Sequence, residues 1–262
     1  MLIAIDIGNS RIKAGKFEND KLNEILSFKD ITDVLTFLKS DSKNNIAISS
    51  VVPDKSKIIS EEVYKITSKS PFIISKDVKT NLIISYKTPE TLGTDRLCSA
   101  EGAFFLFKNS EKYKNFNAGT YILSIDFGTA TTVNVVEHPG KFVGGLIAPG
   151  LETMFESLRL KTAQLPHLSI SNFISTIGND TNSSIASGVV TSVVGMIEKT
   201  INYLKNEKSV GTRRALSLQE VFVYITGGNA KKIIPYLNLD FIYEEGLVLY
   251  GINALHKLNK VL

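Results

Sequence analysis

Two stretches of the chain share one pattern, an apolar strand that ends in Asp-x-Gly: residues 2–10 read LIAIDIGNS and residues 122–132 read ILSIDFGTATT. A buried strand brings the aspartate to its carboxyl end, and the glycine lets the backbone turn tightly and approach a ligand. The hydroxyl, amide and backbone N–H groups after each turn are suited to bind phosphate oxygens. One such turn is equally typical of an ordinary hairpin. Its repetition, at Asp6 and at Asp126, indicates a duplicated domain with two phosphate-facing turns.

Composition excludes several classes of protein. The 262 residues are 43% hydrophobic, so a generally disordered chain is excluded. The net charge of +4 is a mild excess that forms no basic stripe, and we expect no nucleic-acid partner. Asp6 interrupts the apolar N-terminal run, and no uncharged stretch approaches the roughly 18 residues of a membrane span, so we expect neither a signal peptide nor a membrane partner. The single cysteine, Cys98, fits a cytoplasmic location.

The order of predicted elements begins again halfway along the chain. In each half strands come first and helices follow, and the clearest helices are predicted from Thr91 to Phe107 and from Asn182 to Leu204. The polar stretch 108–119 is the best candidate for a linker. We therefore predict an α/β protein with two domains, 1–115 and 116–262. The chain has no Gly-x-Gly-x-x-Gly motif and no Gly-x-x-x-x-Gly-Lys-[Ser/Thr] motif, so a doubly wound dinucleotide fold is not predicted.

The first turn carries groups that a Mg²⁺–triphosphate needs. If it faces a triphosphate, Asp6 would hold Mg²⁺ through water, since Mg²⁺ keeps part of its hydration shell. Asn9 and Ser10 would donate hydrogen bonds to phosphate oxygens. Lys13, on the next strand, would neutralise the charge that develops in phosphoryl transfer. The plainer alternative is a hairpin with Lys13 in solvent.

The second turn offers three threonine hydroxyls after Asp126. Strand alternation puts Thr129 and Thr131 on one face, so Thr129 is expected in the phosphate loop. Thr132 is explained equally well by the preference of threonine for strands.

A third motif, residues 88–96 (TPETLGTDR), is a loop that enters a helix. The first turn of a helix has free N–H groups that favour anions. Arg96 can bind a substrate carboxylate with its planar fork, while Asp95 accepts a proton from a hydroxyl. The alternative is that Asp95 only stabilises the helix dipole.

Two glycine-rich segments follow. Residues 144–150 (GGLIAPG) end a strand where backbone or ligand can come close. Residues 226–230 (TGGNA) join a buried strand to a helix, a suitable place for an adenosine. Each is also compatible with ordinary turn chemistry.

Taken in order, these motifs resemble those of the type III pantothenate kinase family: the two Asp-x-Gly turns, Pro-x-x-Leu-Gly-x-Asp-Arg at 89–96, Gly-Gly-x-Ile-x-Pro-Gly at 144–150 and Thr-Gly-Gly at 226–228. The likeness runs from residue 2 to about residue 251. It implies two actin-like (ribonuclease H-like) domains, each a mixed sheet flanked by helices, with ATP in the cleft between them. It also implies a cytoplasmic homodimer, with helices of the second domain at the interface, that phosphorylates pantothenate in the first step of coenzyme A synthesis.

The resemblance assigns cofactors and residues. Mg²⁺ with ATP, and K⁺ or NH₄⁺, are the implied cofactors, and Asp126 corresponds to the ligand of the monovalent cation. Asp95 corresponds to the proton acceptor. The implied substrate contacts are Tyr86, Gly93, Thr94, Asp95, Arg96 and Thr181, the last near the dimer interface. The implied ATP contacts are Asp6, Ile7, Gly8, Asn9, Ser10, Arg11, Ile12, Lys13 and Thr129. The chain departs from the family at Asn179, where a basic residue is common.

Two other functions compete with a pantothenate kinase. Some relatives of the family were first described as transcription-associated factors, so a kinase-fold regulatory accessory protein without pantothenate turnover is one alternative. Loss of Asp95 or Arg96 would favour it, yet both are present. An ATPase that uses nucleotide as a conformational switch is the other, but 262 residues leave little room for partner domains.

Overall fold

The computed structural model describes residues 1–41, 43–111, 119–170, 177–206 and 220–260. In chain order the strands are β1 (Leu2–Ile7), β2 (Ile12–Glu18), β3 (Lys21–Phe28), β4 (Asn45–Ser50), β5 (Phe72–Ile73), β6 (Ile83–Ile84), β7 (Tyr121–Phe127), β8 (Ala130–Glu137), β9 (Lys141–Pro149), β10 (Val221–Thr226) and β11 (Ile242–Tyr243). The helices are α1 (Ile31–Ser40), α2 (Pro53–Thr67), α3 (Thr94–Lys108), α4 (Leu151–Lys161), α5 (Thr181–Asn206), α6 (Ala230–Ile233) and α7 (Leu247–Asn259). Short 3₁₀ turns lie at Pro89–Thr91 and Ile234–Tyr236.

The first of two compact units is built on a mixed sheet in the order β3-β2-β1-β4-β5. The central strand β1 pairs antiparallel with β2 and parallel with β4. Because side chains alternate along a strand, Ile3, Ile5 and Ile7 pack on one face with α1 and α2. Leu2 and Ala4 pack on the other face with α3 and α7. Burial on both faces explains why this strand is apolar at every position from Leu2 to Ile5.

The second unit repeats this strand order as β9-β8-β7-β10-β11. Its central strand β7 pairs antiparallel with β8 and parallel with β10, as β1 does with β2 and β4. Leu123, Ile125 and Phe127 of β7 pack with α4 and α5 in one large core. The duplication predicted from the two Asp-x-Gly turns is confirmed, and each unit is an actin-like mixed sheet flanked by helices.

The last helix belongs to the first unit, because two glycines let α7 pack closely on α3. A Cβ atom at Gly102 would overlap the carbonyl of Leu247, and one at Gly251 would overlap the carbonyl of Cys98. The first unit comprises Met1–Phe116, Pro139–Gly144 and Gly246–Leu262, and the second Asn117–His138 and Gly145–Glu245. The predicted point of division, between 115 and 116, lies in 112–118, outside the described residues. The chain is not divided between the units at a single point, because residues 139–144 and helix α7 belong to the first unit.

The helix that carries Asp95 begins three residues later than predicted. Residues Pro89–Thr91 form a 3₁₀ turn, and Gly93, with φ −59° and ψ 140°, is the N-cap of α3. Asp95 and Arg96 therefore do lie in the first helical turn, as predicted.

The helix predicted from Asn182 to Leu204 is α5, which begins one residue earlier and ends two residues later. In the described part of the chain α5 is the one helix long and apolar enough to cross a membrane by composition alone. Its apolar face is instead buried in the core of the second unit, against residues such as Val223 and Ile225 of β10.

Candidate active site

The first turn presents its polar groups where β1 ends. Asp6 is half-buried and lies opposite Lys13 in the register of β1 and β2. The N–H of Gly8 donates to the carbonyl of Arg11 at 3.0 Å and closes the turn. Residues 9–11 are exposed at its tip. The turn therefore offers backbone and side-chain donors to a ligand in solvent, as an anion-binding loop requires.

Two of the predicted ATP contacts have side chains that point away from this tip. The side chains of Ile7 and Ile12 are fully buried and belong to the core shared with α1 and α2. Only the backbone of these two residues is available to a nucleotide. By packing in this core, their apolar side chains fix the ends of β1 and β2 on either side of the turn.

Strand β4 connects the first turn with the Gly-x-Asp-Arg motif. Ser49 is the register partner of Asp6, and its hydroxyl donates to Thr94 Oγ1 at 3.2 Å. Thr94 Oγ1 in turn donates to the carbonyl of Ser50 at 3.1 Å. Since the hydroxyl proton of Thr94 is used in this way, a substrate contact there would involve its backbone N–H or the remaining lone pair.

The start of α3 places a carboxylate at the helix N-terminus. Asp95 is half-buried, and a Cβ atom at Gly93 would lie 2.5 Å from Asp95 Oδ1, so a larger residue at Gly93 would displace this side chain. Burial raises the pKa of the Cys98 thiol well above its usual value, and the carboxylates of Asp6, Glu101 and Asp95 raise it further. Asp6 and Asp95, predicted from separate motifs, therefore both act on the pKa of the same buried thiol.

Arg96 lies among aromatic rings. Its side chain is almost fully buried, with the guanidinium carbon 5.7 Å from the Tyr86 ring centre and 5.9 Å from that of Phe142. The two rings meet edge to face at 6.1 Å. Such cation–π contacts orient the planar guanidinium. The structure thus brings together Tyr86 and Arg96, which were assigned to the substrate from different segments.

The second turn repeats the geometry of the first. The N–H of Gly128 donates to the carbonyl of Ala130 at 3.1 Å, and Asp126 is half-buried at the end of β7. The Thr129 side chain is exposed at the tip, and its contact with ATP stays a prediction. Thr131 is fully buried and Thr132 is 9% exposed, so both serve as strand residues.

The two glycine-rich segments of the second unit converge on this turn. A Cβ atom at Gly150 would overlap the carbonyl of Gly128, and the N–H of Gly150 donates to the carbonyl of Thr129 at 2.9 Å. Gly227 has φ +104°, and a Cβ atom there would lie 2.5 Å from Asp126 Oδ1 and overlap the backbone N of Phe127. These motifs therefore share one physical role, which is to let three backbone segments meet at Asp126.

Gly227→Ala should lower the free energy of unfolding by about 2 kcal/mol, through a strained positive φ and a backbone overlap. Gly228→Ala is the matched control, because a Cβ atom at Gly228 would meet nothing within 4 Å and its backbone is not left-handed. Urea denaturation of both variants measures the difference. Equal stability of the two would show that the backbone at Gly227 relaxes without cost.

The residues around Thr181 form the N-terminus of α5. The N–H of Ser183 donates to Asp180 Oδ1 at 2.8 Å, and the N–H groups of Asn179 and Asp180 both donate to Ser183 Oγ at 3.1 Å. The hydrogen bond from the Ser183 backbone lowers the pKa of the Asp180 carboxyl. Asp180 and Ser183 thus cap the helix reciprocally, while the Thr181 side chain is exposed beside them.

Several residues near the motifs were missed because no local pattern marks them. Ser49 and Ser50 position Thr94, and Phe142 contacts both Arg96 and Tyr86. Lys55 of α2 donates to the carbonyl of Asn9 at 3.5 Å and brings a positive charge to the first turn. The two serines that end the apolar run of β4 are the one signal that sequence reasoning had for this set.

No cluster of three or more His, Cys, Asp or Glu that could hold a metal ion occurs among the described residues. A metal site made by protein side chains alone is therefore not found in that part of the chain. Mg²⁺ is commonly held by one or two carboxylates together with substrate phosphates and water. The single carboxylate of Asp6, at the end of β1, fits that manner of binding.

Comparisons with known proteins agree with these motifs. The family model for type III pantothenate kinase matches residues 2–203. The type III pantothenate kinase of Legionella pneumophila (strain Paris) is 33% identical over 274 residues, which cover 99% of each chain. That of Sulfurihydrogenibium sp. (strain YO3AOP1) is 31% identical over 271 residues, which cover 98% of this chain and 100% of the relative.

A solved structure agrees in fold. The conserved protein from Campylobacter jejuni assigned to the Baf family of transcriptional activators superposes with a TM-score of 0.60 over 98% of each chain, at 18% identity. The resemblance inferred from the sequence motifs is confirmed by the family model and by relatives that match the whole chain. This protein, an enzyme of the kinase class, belongs to the type III pantothenate kinase family.

Proposed function

We propose that this chain transfers the γ-phosphoryl group of ATP to the hydroxyl of pantothenate, giving 4'-phosphopantothenate in the first step of coenzyme A biosynthesis. The observation that carries the proposal is the Arg96 guanidinium, held against Tyr86 and Phe142 one residue from a carboxylate at a helix N-terminus. This arrangement supplies both a carboxylate receptor and a proton acceptor. Family membership supports the choice of substrate.

The residues of the proposed substrate site have separate roles. Arg96 binds the pantothenate carboxylate with two parallel N–H donors, and Tyr86, Gly93, Thr94 and Thr181 are the proposed further contacts. Asp95 takes the proton of the attacking pantothenate hydroxyl. The oxygen of that hydroxyl bonds to the γ-phosphorus, and the bond from this phosphorus to the leaving ADP oxygen breaks. Phosphoryl transfer depends chiefly on positioning and on stabilising charge, so these contacts also contribute by holding the hydroxyl in line.

The first turn is the proposed phosphate-binding loop. Asn9, Ser10 and Arg11 donate hydrogen bonds to phosphate oxygens. Gly8 lets the chain turn and uses its own N–H to close the loop, and Ile7 and Ile12 contribute backbone alone. Asp6 would hold Mg²⁺ through water, and the ion would supply charge neutralisation on the phosphates. Lys13, which lies beside Asp6 on β2, stabilises charge that develops on the transferring group.

The second turn has a matching set of proposed roles. Thr129 donates to ATP from its exposed tip, and residues 226–230 face the adenosine. Asp126 would hold K⁺ or NH₄⁺, because its carboxylate supplies the negatively charged oxygen ligand that such a cation prefers. A carboxylate without the cation would repel the phosphates nearby.

Replacement of K⁺ by Na⁺ should lower wild-type kcat/KM for ATP about tenfold, and Asp126→Ala should make the enzyme indifferent to the exchange. Asp6→Asn is the matched control, because its effect acts through Mg²⁺ and should be equally damaging in either salt. Initial rates in KCl and NaCl at constant ionic strength measure both. A wild type that ignores the exchange would show that Asp126 holds no activating cation.

The implied homodimer and the cytoplasmic location remain proposals. An apolar groove between α4 and α5, lined by Met154, Leu158, Ile185 and Val189, reaches the exposed Thr181. Its apolar lining supports association with a second copy near that residue. The alternative of a regulatory accessory protein draws on the Campylobacter structure, but 18% identity extends the likeness to fold alone.

A coupled assay of ADP formation across a panel of alcohols, with pantothenate included, tests the proposed function. We expect pantothenate to be turned over with the highest kcat/KM of the panel. Mass spectrometry of the product should show one added phosphate on the hydroxyl. Absence of pantothenate turnover in the presence of both Mg²⁺ and K⁺ would refute the proposal and favour the regulatory alternative.

A further inference from the structure

Glu101 is a fully buried acid on α3 that none of the motifs includes. Its Oε1 accepts the backbone N–H groups of Asn81 at 2.8 Å and Leu82 at 3.2 Å, and its Oε2 accepts the Asn81 side-chain amide at 2.9 Å. Burial raises the pKa of the Glu101 carboxyl, and these hydrogen bonds partly offset that effect. A buried carboxylate is costly unless its oxygens are satisfied, and here both oxygens accept N–H donors.

The residues held by Glu101 lead directly to Tyr86. After Leu82 the chain forms the short strand β6, in which Ile83 N–H donates to the carbonyl of Gly140 at 2.8 Å. Ser85 N–H donates to the carbonyl of Phe142 at 2.9 Å. Because β6 is only two residues long, these backbone bonds alone give the segment a short anchor. The three hydrogen bonds to Glu101 attach the N-terminal end of this segment as well.

We propose that Glu101 is a positioning residue for the substrate: it fixes the start of segment 81–86 on α3, so that Tyr86 at the end of the segment lies against Arg96 of the same helix. The inference rests on the proposed function, in which Tyr86 and Arg96 contact pantothenate. A 15-residue helix is stiff, so its two contacts with the segment set the spacing between ring and guanidinium. Glu101 thereby acts on pantothenate affinity through Tyr86, without touching the reacting atoms.

Glu101→Leu removes all three hydrogen bonds and should raise KM for pantothenate about tenfold, while kcat and KM for ATP stay within about twofold. Glu101→Gln should stay near wild type, because its amide can serve the same partners once the Asn81 amide turns over. Asn81→Asp puts a second carboxylate against Glu101 and should raise KM for pantothenate about fivefold. In the double variant Glu101→Gln/Asn81→Asp donor and acceptor are exchanged, and KM should return to the wild-type value.

Val63→Ala controls for a general loss of stability. Val63 is buried on α2, in the cluster on the opposite face of the first sheet from α3. Its truncation should lower Tm as a core cavity does, with KM for pantothenate unchanged. Tm, KM for both substrates and kcat are measured for every variant. Asn81 is exposed, so the Asn81→Asp and double variants test the pair even if Glu101→Leu fails to fold.

Four outcomes would overturn the inference. In an active wild type, Asn81→Asp with unaltered KM for pantothenate would do so, and so would failure of Glu101→Gln to suppress its effect. A further contradicting outcome compares Val63→Ala with Glu101→Leu. If both variants lose the same amount of Tm and both raise KM for pantothenate equally, Glu101 only stabilises the fold. A wild type without pantothenate turnover would refute the proposed function, and this inference with it.

Discussion

Asp95→Asn should bind ATP as tightly as the wild type, while its kcat should fall by a factor of about 10²–10⁴, the usual contribution of a general base. The hydroxyl of pantothenate is a poor nucleophile, and the amide that replaces the carboxylate cannot accept its proton. The substitution keeps the size of the side chain, so the space beside Gly93 at the start of α3 is filled as before. Steady-state kinetics with pantothenate, together with calorimetric titration of ATP, separate the two effects.

Glu90→Gln is the matched control for Asp95→Asn. Glu90 is exposed in the 3₁₀ turn just before α3, so its substitution removes one negative charge from the same region without touching the proposed base. Its kcat should stay within about twofold of wild type, as is usual for an exposed surface charge. Near-normal turnover of Asp95→Asn would remove Asp95 from the mechanism and leave it the role of stabilising the helix dipole.

Arg96→Lys should raise KM for pantothenate about 100-fold and leave the affinity for ATP nearly unchanged, because a charged hydrogen-bonded contact contributes about 1.5–3 kcal/mol. The guanidinium offers two parallel donors to a planar carboxylate, whereas an ammonium offers a point charge. Tyr86 and Phe142 also hold the guanidinium through their ring faces. Lysine would be oriented less well there. Initial rates over a range of pantothenate concentrations measure the change.

A substrate without the carboxylate isolates this contact. Pantetheine, an amide, should be a poor substrate for the wild type and should be affected much less by Arg96→Lys than pantothenate is. General damage to the start of α3 would lower activity with both substrates. A larger loss with pantothenate than with pantetheine is therefore specific to the carboxylate contact. Equal losses with the acid and the amide would assign Arg96 a structural role and place the substrate carboxylate elsewhere.

Local sequence was enough to predict several parts of this molecule. The apolar runs of β1 and β7, each ended by Asp-x-Gly, predicted the repeated sheet, because a strand that is buried on both faces is apolar at most of its positions. Helical periodicity predicted α3 and α5 to within three residues at their ends. It erred at the start of α3, where a 3₁₀ turn and the N-cap at Gly93 delay the helix.

Contacts between distant segments were beyond the reach of these local patterns. Nothing in a single stretch of sequence says that α7 returns to the first unit, since this depends on how closely Gly102 and Gly251 let two helices approach. Likewise the partners of Glu101 and Thr94 belong to segments far from them in the chain.

Local sequence alone gives the chemical groups of this protein: two Asp-x-Gly turns, an aspartate and an arginine at a helix start, and the family to which these motifs belong. Which of these groups meet depends on how the chain folds. It brings Tyr86 and Phe142 to Arg96 and connects Asp6 to Thr94 through Ser49. The physical reason is that residue type and periodicity follow from the local chain, whereas the partner of a buried polar group follows from the packing of the whole unit.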